Sequence, residues 1–147
     1  MPSPEAEAFK AILAKFLVQL SGSEGQAPSV EEMRGLYGRF SDTGSPPESV
    51  SWTEVDVNGV PAIWADSDGG ATDRVVQYVH GGGYVIGNAK FYKGLTGHIA
   101  KAVGCRVLNV DYRLAPEHPH PAAVEDSTIA YKWLLEEGYT PEHLAIS

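Results

Sequence analysis

Apolar side chains near the start of the chain recur at the three- and four-residue spacing of one helix face. The members of this stripe are Phe9, Ile12, Leu13, Phe16, Leu17 and Leu20. Ser3 is a suitable N-cap, Pro4 suits the first helical position, and Ser21-Gly22 marks the end. The pattern therefore predicts an amphipathic helix.

A second helix is predicted after a linker rich in glycine and serine. Ser29 and Glu32 have the spacing of a capping box, in which each side chain binds the backbone N–H of the other residue. The apolar residues that follow are Met33, Leu36, Tyr37 and Phe40. Two such helices ahead of a β domain can pack into its core or form a lid over a substrate pocket. Periodicity alone favours packing, with the lid as the alternative.

From residue 50 onward the pattern changes from helical to extended. Residues 50–57 and 61–66 predict two strands joined at Asn58-Gly59, which is a hairpin turn signal. The further predicted strands are residues 75–79, 105–110 and 143–146. The sequence therefore predicts five strands, of which the first two form a hairpin.

Helices are predicted between the later strands. Residues 92–103 predict one helix, although Gly94 and Gly97 count against it, and residues 121–137 predict another, closed by Gly138. Alternating strands and helices favour an α/β domain with parallel strands and right-handed crossovers. Because the strands of a parallel sheet are normally paired on both sides, we expect further strands beyond these five.

Composition and charge narrow the function. The chain has 147 residues, 43% hydrophobic and 20% charged, as expected for a soluble globular domain. A net charge of -8 with dispersed Lys and Arg argues against a nucleic-acid partner. No secretory signal is present and no apolar run approaches the roughly 18 residues that span a bilayer, so we expect a cytoplasmic protein. The single cysteine, Cys105, lies in an apolar run that favours a buried side chain over a reactive thiol.

The most informative stretch is His80-Gly81-Gly82-Gly83-Tyr84, directly after the third predicted strand. Three glycines let the backbone turn sharply and allow several N–H groups to point at one place, which suits an anion or a developing oxyanion. Nucleotide-binding loops are excluded by spacing, because Ile86 stands where a dinucleotide loop needs glycine and Asn88-Ala89 where a P-loop needs Lys and Ser or Thr. A flexible glycine loop is the alternative.

A second motif makes the pattern specific. Residues 111–117 read Asp-Tyr-Arg-Leu-Ala-Pro-Glu. This motif, after His-Gly-Gly-Gly at the end of a strand, resembles the hormone-sensitive-lipase-like esterases, which are bacterial family IV of the α/β-hydrolases. The resemblance implies the first five strands of an incomplete α/β-hydrolase fold. It also implies that residues 1–45 form N-terminal cap helices and that residues 46–147 form the first part of the core.

The resemblance also implies roles for the motif residues. The oxyanion hole would lie among Gly81, Gly82 and Gly83, with Gly82 and Gly83 as our choice of donors. His80 would support the loop, and Tyr84 would either line the substrate pocket or pack as an ordinary aromatic residue. The residues of the second motif, expected to be structural, are Asp111, Tyr112, Arg113, Pro116 and Glu117.

Residue chemistry suggests how this second motif is held. Arg113 is expected to form a buried ion pair with Glu117, Asp111 or Asp126, and one X-Pro bond is a candidate for the cis form. His118 and His120 lack a third ligand nearby, so we expect no metal site, and the resemblance implies an enzyme without a cofactor.

The catalytic side chains are expected outside these residues. The family places its serine in Gly-x-Ser-x-Gly after the fifth strand, and residues 143–147 resemble the strand before that nucleophile elbow. The acid and the base come later still, so this chain alone is expected to be inactive. The resemblance implies a serine carboxylesterase for short- to medium-chain esters. The rest of the enzyme would complete it, in the same polypeptide or as a second chain, and the complete enzyme could form a homodimer. A non-hydrolytic small-molecule-binding relative and an inactive fragment are the alternatives.

Overall fold

A computed structural model places a five-stranded mixed sheet at the centre of the fold, in the order β1-β2-β4-β3-β5. The structure describes residues 2–20, 28–38 and 46–147. The strands are β1 (Val50–Val57), β2 (Val60–Ser67), β3 (Ala71–Val79), β4 (Cys105–Val110) and β5 (Leu144–Ile146). The helices are α1 (Pro4–Leu20), α2 (Val30–Gly38), α3 (Lys93–Val103) and α4 (Ala122–Glu136), with a 3-10 turn at Pro141–His143.

The first two strands form the predicted hairpin. β1 and β2 pair antiparallel from Val50 opposite Ser67 to Val57 opposite Val60. Asn58 and Gly59 both have positive φ, 54° and 90°, which is the left-handed backbone that a two-residue hairpin turn needs. The hairpin prediction is confirmed.

The later strands run parallel, as the alternation of strands and helices predicted. β3 pairs parallel with β4 on one side and with β5 on the other, while β2 joins β4 antiparallel. β3 begins at Ala71, earlier than predicted, because it pairs opposite Cys105 before a register shift that ends at Val75. Parallel pairing brings the carboxyl ends of β3, β4 and β5 to one edge of the sheet.

Alternate residues of each strand face opposite helices. Leu108 packs in one cluster with Ala130 and Leu134 of α4, whereas Val107 packs in another with Ala100 of α3. The two helices therefore cover opposite faces of the sheet, as parallel strands require.

The α3 helix forms despite its glycines, and Gly97 has a packing reason. A Cβ at Gly97 would lie 2.7 Å from Cζ2 of Trp52 in β1 and 2.9 Å from Cγ of Pro47. The missing side chain lets the helix approach the sheet closely, and Gly104 ends the helix in the left-handed conformation at φ 66°.

The N-terminal helices do not enter the core. The exposed fractions of Phe9, Ile12, Leu13 and Leu17 in α1 range from 36% to 53%, and no residue of α2 is fully buried. For the described side chains of α1, packing into the core, which periodicity favoured, is therefore wrong. In α2, Met33, Leu36 and Tyr37 are half-buried. Ser21, Gly22, Phe40 and the domain boundary at residue 45 lie outside the described residues, as do the side chains of Phe16 and Leu20.

The helix starts agree with their sequence signals. The backbone N–H of Ala6 donates to Oγ of Ser3 at 3.3 Å. At the start of α2, the N–H of Glu32 donates to Oγ of Ser29, and the N–H of Ser29 donates to Oε2 of Glu32. Both predicted caps are confirmed. Across the described ranges, no helix has the length and apolar character needed to cross a membrane.

Replacing Gly97 by Ala is expected to destabilise the intact protein by about 1–3 kcal/mol, because the added methyl group overlaps Trp52 and Pro47. The control is Gly35→Ala in α2, where an added Cβ meets no atom within 4 Å. That change is expected to stabilise the protein by about 0.5–1 kcal/mol, because alanine favours a helix. Urea denaturation measures the free energy of unfolding of both variants. Equal changes at the two positions would contradict the packing role of Gly97.

Candidate functional site

The glycine loop lies at the carboxyl edge of the sheet. It leaves β3 directly at His80, and β5 ends beside it. The N–H of Ser147 donates to the carbonyl of Gln77 at 2.9 Å, and the N–H of Val79 donates to the carbonyl of Ser147 at 2.8 Å. The backbone at Ser147 is thus aligned with the residue just before the loop.

The backbone of the loop has a conformation that needs glycine. The φ angles of Gly82, Gly83 and Tyr84 are 130°, 61° and 64°. An added Cβ on Gly82 would lie 1.9 Å from the carbonyl oxygen of Ile86. The N–H groups of Val85 and Ile86 both donate to the carbonyl of Gly82, at 3.2 and 3.1 Å, and so turn the chain back on itself. Any side chain at Gly82 would break this turn.

The amides of the loop are not used by the turn. Within the described part of the chain, the N–H groups of Gly81, Gly82 and Gly83 donate to no protein acceptor. Gly83 faces open space, since an added Cβ there would meet no atom within 4 Å. Adjacent N–H groups without protein partners are what the stabilisation of a developing negative charge requires.

His80 lies beneath the loop and is buried, with 3% of its surface exposed. Its ring stacks between Tyr112, at 4.2 Å between centroids, and Tyr92, at 5.4 Å. Nδ1 lies 2.9 Å from the carbonyl oxygen of Gly81. Because a carbonyl only accepts, Nδ1 carries the proton and Nε2 is the basic nitrogen. Nε2 has no hydrogen-bond partner among the described residues.

Burial lowers the pKa of His80 below its ordinary value of 6.5, against the opposing effects of the hydrogen bond to Gly81 and of the charge on Asp111. The ring is therefore neutral at pH 7. Its contacts hold the backbone of Gly81, and its proton is already used. This geometry suits a supporting residue better than a general base.

Two tyrosines hold the carbonyls at the start of the loop. The hydroxyl of Tyr112 donates to the carbonyl of His80 at 2.6 Å, and the hydroxyl of Tyr92 donates to the carbonyl of Gly81 at 3.3 Å. Burial raises the pKa of Tyr112 to about 12, so this hydroxyl stays protonated at neutral pH. Sequence reasoning missed Tyr92, because it lies in neither motif.

Asp111 anchors the segment that follows the loop. Its Oδ1 accepts the N–H of Ala89 at 2.7 Å, and Nδ2 of Asn109 donates to the carbonyl of the same residue at 2.7 Å. Both side chains lie at the carboxyl end of β4, Asn109 within the strand and Asp111 directly after it. The second motif thus contacts the chain on both sides of the glycine loop.

Arg113 takes Asp126 as its partner among the three carboxylates that the sequence left open. Nη2 lies 2.7 Å from Oδ1 of Asp126, and the backbone N–H of Arg113 donates to Oδ2 at 2.8 Å. Burial acts to raise the pKa of Asp126, but the hydrogen bonds from Arg113 outweigh it and hold that pKa below its usual value. The carboxylate is 4% exposed and the arginine side chain 44%, so only the acid is buried.

Glu117 is bound by an arginine that sequence reasoning missed. Nη1 and Nη2 of Arg34 in α2 donate to its two carboxylate oxygens, each at 2.8 Å. This pairing lowers the pKa of Glu117 to about 2, so the acid is charged at neutral pH. A separation of 83 residues gives no local signal for the pair. Pro116 follows a cis peptide bond, as does Pro121, whereas the sequence suggested one such bond.

Tyr84 stands at the mouth of the site. The residue is 62% exposed, and its carbonyl accepts the N–H of Ala115 at 2.9 Å. It lines a cavity of about 350 Å³ between α4 and the carboxyl ends of β3 and β5. The other lining residues are Gln77, Val79, Ala123, Val124, Ser127, Thr128, Tyr131 and Ile146.

In the described ranges, no group of three or more His, Cys, Asp or Glu side chains is placed to hold a metal ion. Cys105 is buried, as predicted, and burial raises the pKa of its thiol. Its side chain therefore behaves as part of the core.

Nitrogen-15 NMR of the His80 ring is expected to show a neutral imidazole protonated on Nδ1, with a pKa below 6.5. The unfolded chain binds this proton more readily than the folded protein. The neutral ring's contribution to the free energy of unfolding is thus fully present above pH 6.5 and is lost as the pH falls toward the folded pKa. A ring that titrates above its ordinary value, or one protonated on Nε2, would contradict this assignment.

Known proteins resemble this chain in sequence and in fold. A family model described as an alpha/beta hydrolase fold matches residues 76–147. An acetyl-hydrolase from Streptomyces hygroscopicus is 36% identical over 154 residues, covering 100% of this chain and 47% of that protein. Esterase LipI from Mycobacterium tuberculosis (strain ATCC 25618 / H37Rv) is 48% identical over 64 residues, covering 44% of this chain and 20% of that protein.

Solved structures match over nearly the whole chain. An esterase from the bacterial hormone-sensitive lipase family superposes with a TM-score of 0.87 at 38% identity, covering 99% of this chain and 47% of that one. The esterase EstE5, soaked with p-nitrophenyl butyrate, superposes with a TM-score of 0.81 at 33% identity, covering 99% and 47%. The chain spans about half the length of these solved relatives and of the acetyl-hydrolase.

Proposed function

Because the chain belongs to the hormone-sensitive-lipase-like esterases of the α/β-hydrolase fold, we propose that it supplies the oxyanion hole of a serine carboxylesterase. The observation that carries the proposal is the glycine loop at the carboxyl edge of the sheet. Its amides at Gly81, Gly82 and Gly83 have no protein acceptor within the described ranges, while the carbonyls of Gly81 and Gly82 are held by hydrogen bonds. Backbone donors of this kind stabilise the tetrahedral oxyanion of acyl transfer.

The reaction would use a serine, a histidine and an acid from outside residues 1–147. The serine Oγ bonds to the ester carbonyl carbon while its proton passes to the histidine, and the carbonyl electrons move onto the oxygen. The N–H groups of Gly82 and Gly83, with the amide after the serine, would bind that oxyanion. The bond to the alcohol then breaks and the alcohol takes the proton. Water repeats the sequence to release the acid.

The position of β5 supports this division of the site. The carbonyl of Ser147 accepts the N–H of Val79, which is the last residue before the glycine loop. In the resembled family, the nucleophile elbow follows this strand. We therefore propose that the rest of the enzyme, in the same polypeptide or a second chain, places its serine within reach of the loop.

The proposed substrates are carboxylic esters with short to medium acyl chains. Tyr84 and the mainly apolar cavity of about 350 Å³ beside it offer room for a small acyl or alcohol group. Residues 1–45 would form part of a cap over this region, and residues 46–147 the first part of the core. The exposed stripe of α1 suits a cap better than a packed helix. We also propose that the protein is cytoplasmic and that the complete enzyme forms a homodimer.

In the full-length protein, Gly82→Ala is expected to lower kcat for p-nitrophenyl butyrate by about 10²–10³, because the loop can no longer present its amides. The control is Gly104→Ala, which introduces a side chain at a positive φ of 66° in open space, far along α3. The control is expected to lose stability but keep kcat. A folded Gly82→Ala enzyme with unchanged kcat would overturn the assignment.

A second measurement does not depend on how the variants fold. An alkyl boronic acid forms a tetrahedral adduct with a serine nucleophile and carries the negative charge of the intermediate. On its addition to the full-length protein, the amide proton resonances of Gly82 and Gly83 are expected to move downfield, since both N–H groups become hydrogen-bonded. Binding of the ester without turnover would instead support a non-hydrolytic small-molecule-binding relative.

A further inference from the structure

We infer that α2 is a positioning element for the oxyanion hole, and that Arg34 and Tyr37 fix the two loop amides from opposite ends of the loop. These two side chains lie one turn apart on the same helix. Each reaches a loop carbonyl, directly or through one other side chain. The inference rests on the proposed function and assigns this helix a task beyond covering the pocket.

The planar peptide bond links each carbonyl of the loop to the next N–H group. A trans peptide unit carries its C=O and the next residue's N–H in one plane, pointing in opposite directions. Holding the carbonyl of Gly81 therefore fixes the direction of the N–H of Gly82. In the same way, holding the carbonyl of Gly82 fixes the N–H of Gly83. The donors of the site are thus set by what holds the carbonyls on the other side of the loop.

Tyr37 acts at the first of these planes. Its hydroxyl lies 2.8 Å from that of Tyr92, which in turn donates to the carbonyl of Gly81 at 3.3 Å. Since Tyr92 uses its proton on Gly81, Tyr37 is the donor of the pair. Its ring also packs against Phe91, at 6.4 Å between centroids. Tyr37 therefore orients the N–H of Gly82 through Tyr92.

Arg34 acts at the second plane through one more peptide unit. Its Nε donates to the carbonyl of Val85 at 2.9 Å. That carbonyl shares a plane with the N–H of Ile86, which donates to the carbonyl of Gly82 at 3.1 Å. The carbonyl of Gly82 shares a plane with the N–H of Gly83. Arg34 therefore orients the Gly83 donor through two successive peptide planes.

The guanidinium of Arg34 is itself fixed by the second motif. Nη2 donates to the carbonyl of Ala115 at 3.0 Å, and both terminal nitrogens bind the carboxylate of Glu117. Its hydrogen bonds therefore reach three residues in two chain segments, and only the planar fork of arginine can make them together. Lysine would keep the charge but lose the simultaneous contacts to Val85, Ala115 and Glu117.

The inference is tested by Tyr37→Phe and Arg34→Lys in the full-length protein with p-nitrophenyl butyrate. Each variant keeps most of the side chain. Each is expected to lower kcat by about tenfold or more with little change in KM, because misdirected amides weaken only the transition state. The affinity of an alkyl boronic acid should fall by the same factor as kcat.

Matched controls remove comparable interactions elsewhere. Tyr139→Phe deletes a hydroxyl that accepts from Nη1 of Arg106 at 3.0 Å, and Arg74→Lys weakens an exposed pair with Asp73. Both should keep the kcat and the boronic acid affinity of the parent enzyme. A loss of stability without a loss of kcat in Tyr37→Phe and Arg34→Lys would show that the two side chains serve the fold alone.

The remaining outcomes separate this inference from the function it rests on. A rise in KM at constant kcat would overturn the inference and make α2 a wall of the substrate pocket, while the oxyanion hole stands. If the parent protein hydrolyses no ester, the proposed function fails. The positioning role is then tested by amide hydrogen exchange and NMR shifts of Gly82 and Gly83, which should change in both variants. Unchanged amides would overturn it.

Discussion

The site depends on one constraint, which is that the loop's carbonyls are held while its amides stay unpaired. Gly81 is held by His80 and Tyr92, and Gly82 by the N–H groups of Val85 and Ile86. Gly81 and Gly83 are exposed and Gly82 is half-buried, so their amides are accessible to an acceptor that approaches from solvent. Peptide planarity turns each held carbonyl into an aimed donor. The glycine at position 82 is needed because an added Cβ there would overlap the carbonyl oxygen of Ile86.

The sheet places this loop beside the carboxyl ends of its parallel strands. Parallel pairing of β3 with β4 and β5 brings three carboxyl ends to one edge, and the hairpin of β1 and β2 extends the sheet on the far side. Helices α3 and α4 then cover opposite faces. The second motif leaves β4 at the same edge, so Tyr112 and Asp111 contact the loop region across a short distance. The strand pairing that forms the sheet therefore also places the glycine loop beside the second motif.

The ion pairs near the glycine loop lie in the segments around it and not at the glycines themselves. The ion pair of Arg113 with Asp126 ties the second motif to the start of α4, and that of Arg34 with Glu117 ties it to α2. The parts nearest the glycines are instead aromatic and neutral, with His80 stacked between Tyr92 and Tyr112. The hydrogen bond from Tyr112 to the carbonyl of His80 is buried, and a low-dielectric surround strengthens it. The same surround keeps His80 neutral.

The sequence by itself determined the features that depend on neighbouring residues. These are the hairpin at Asn58-Gly59, the capping box at Ser29, the alternation of strands and helices, and a glycine loop at the end of β3. Together with its motifs it also indicated the α/β-hydrolase fold, which the relatives confirm over about half their length. Tertiary structure decided the exposure of α1, the choice of Asp126 by Arg113, and the pairing of Arg34 with Glu117. Those outcomes depend on which segments, far apart in the sequence, the sheet brings into contact. Hydrophobic spacing is a local pattern and does not predict such contacts.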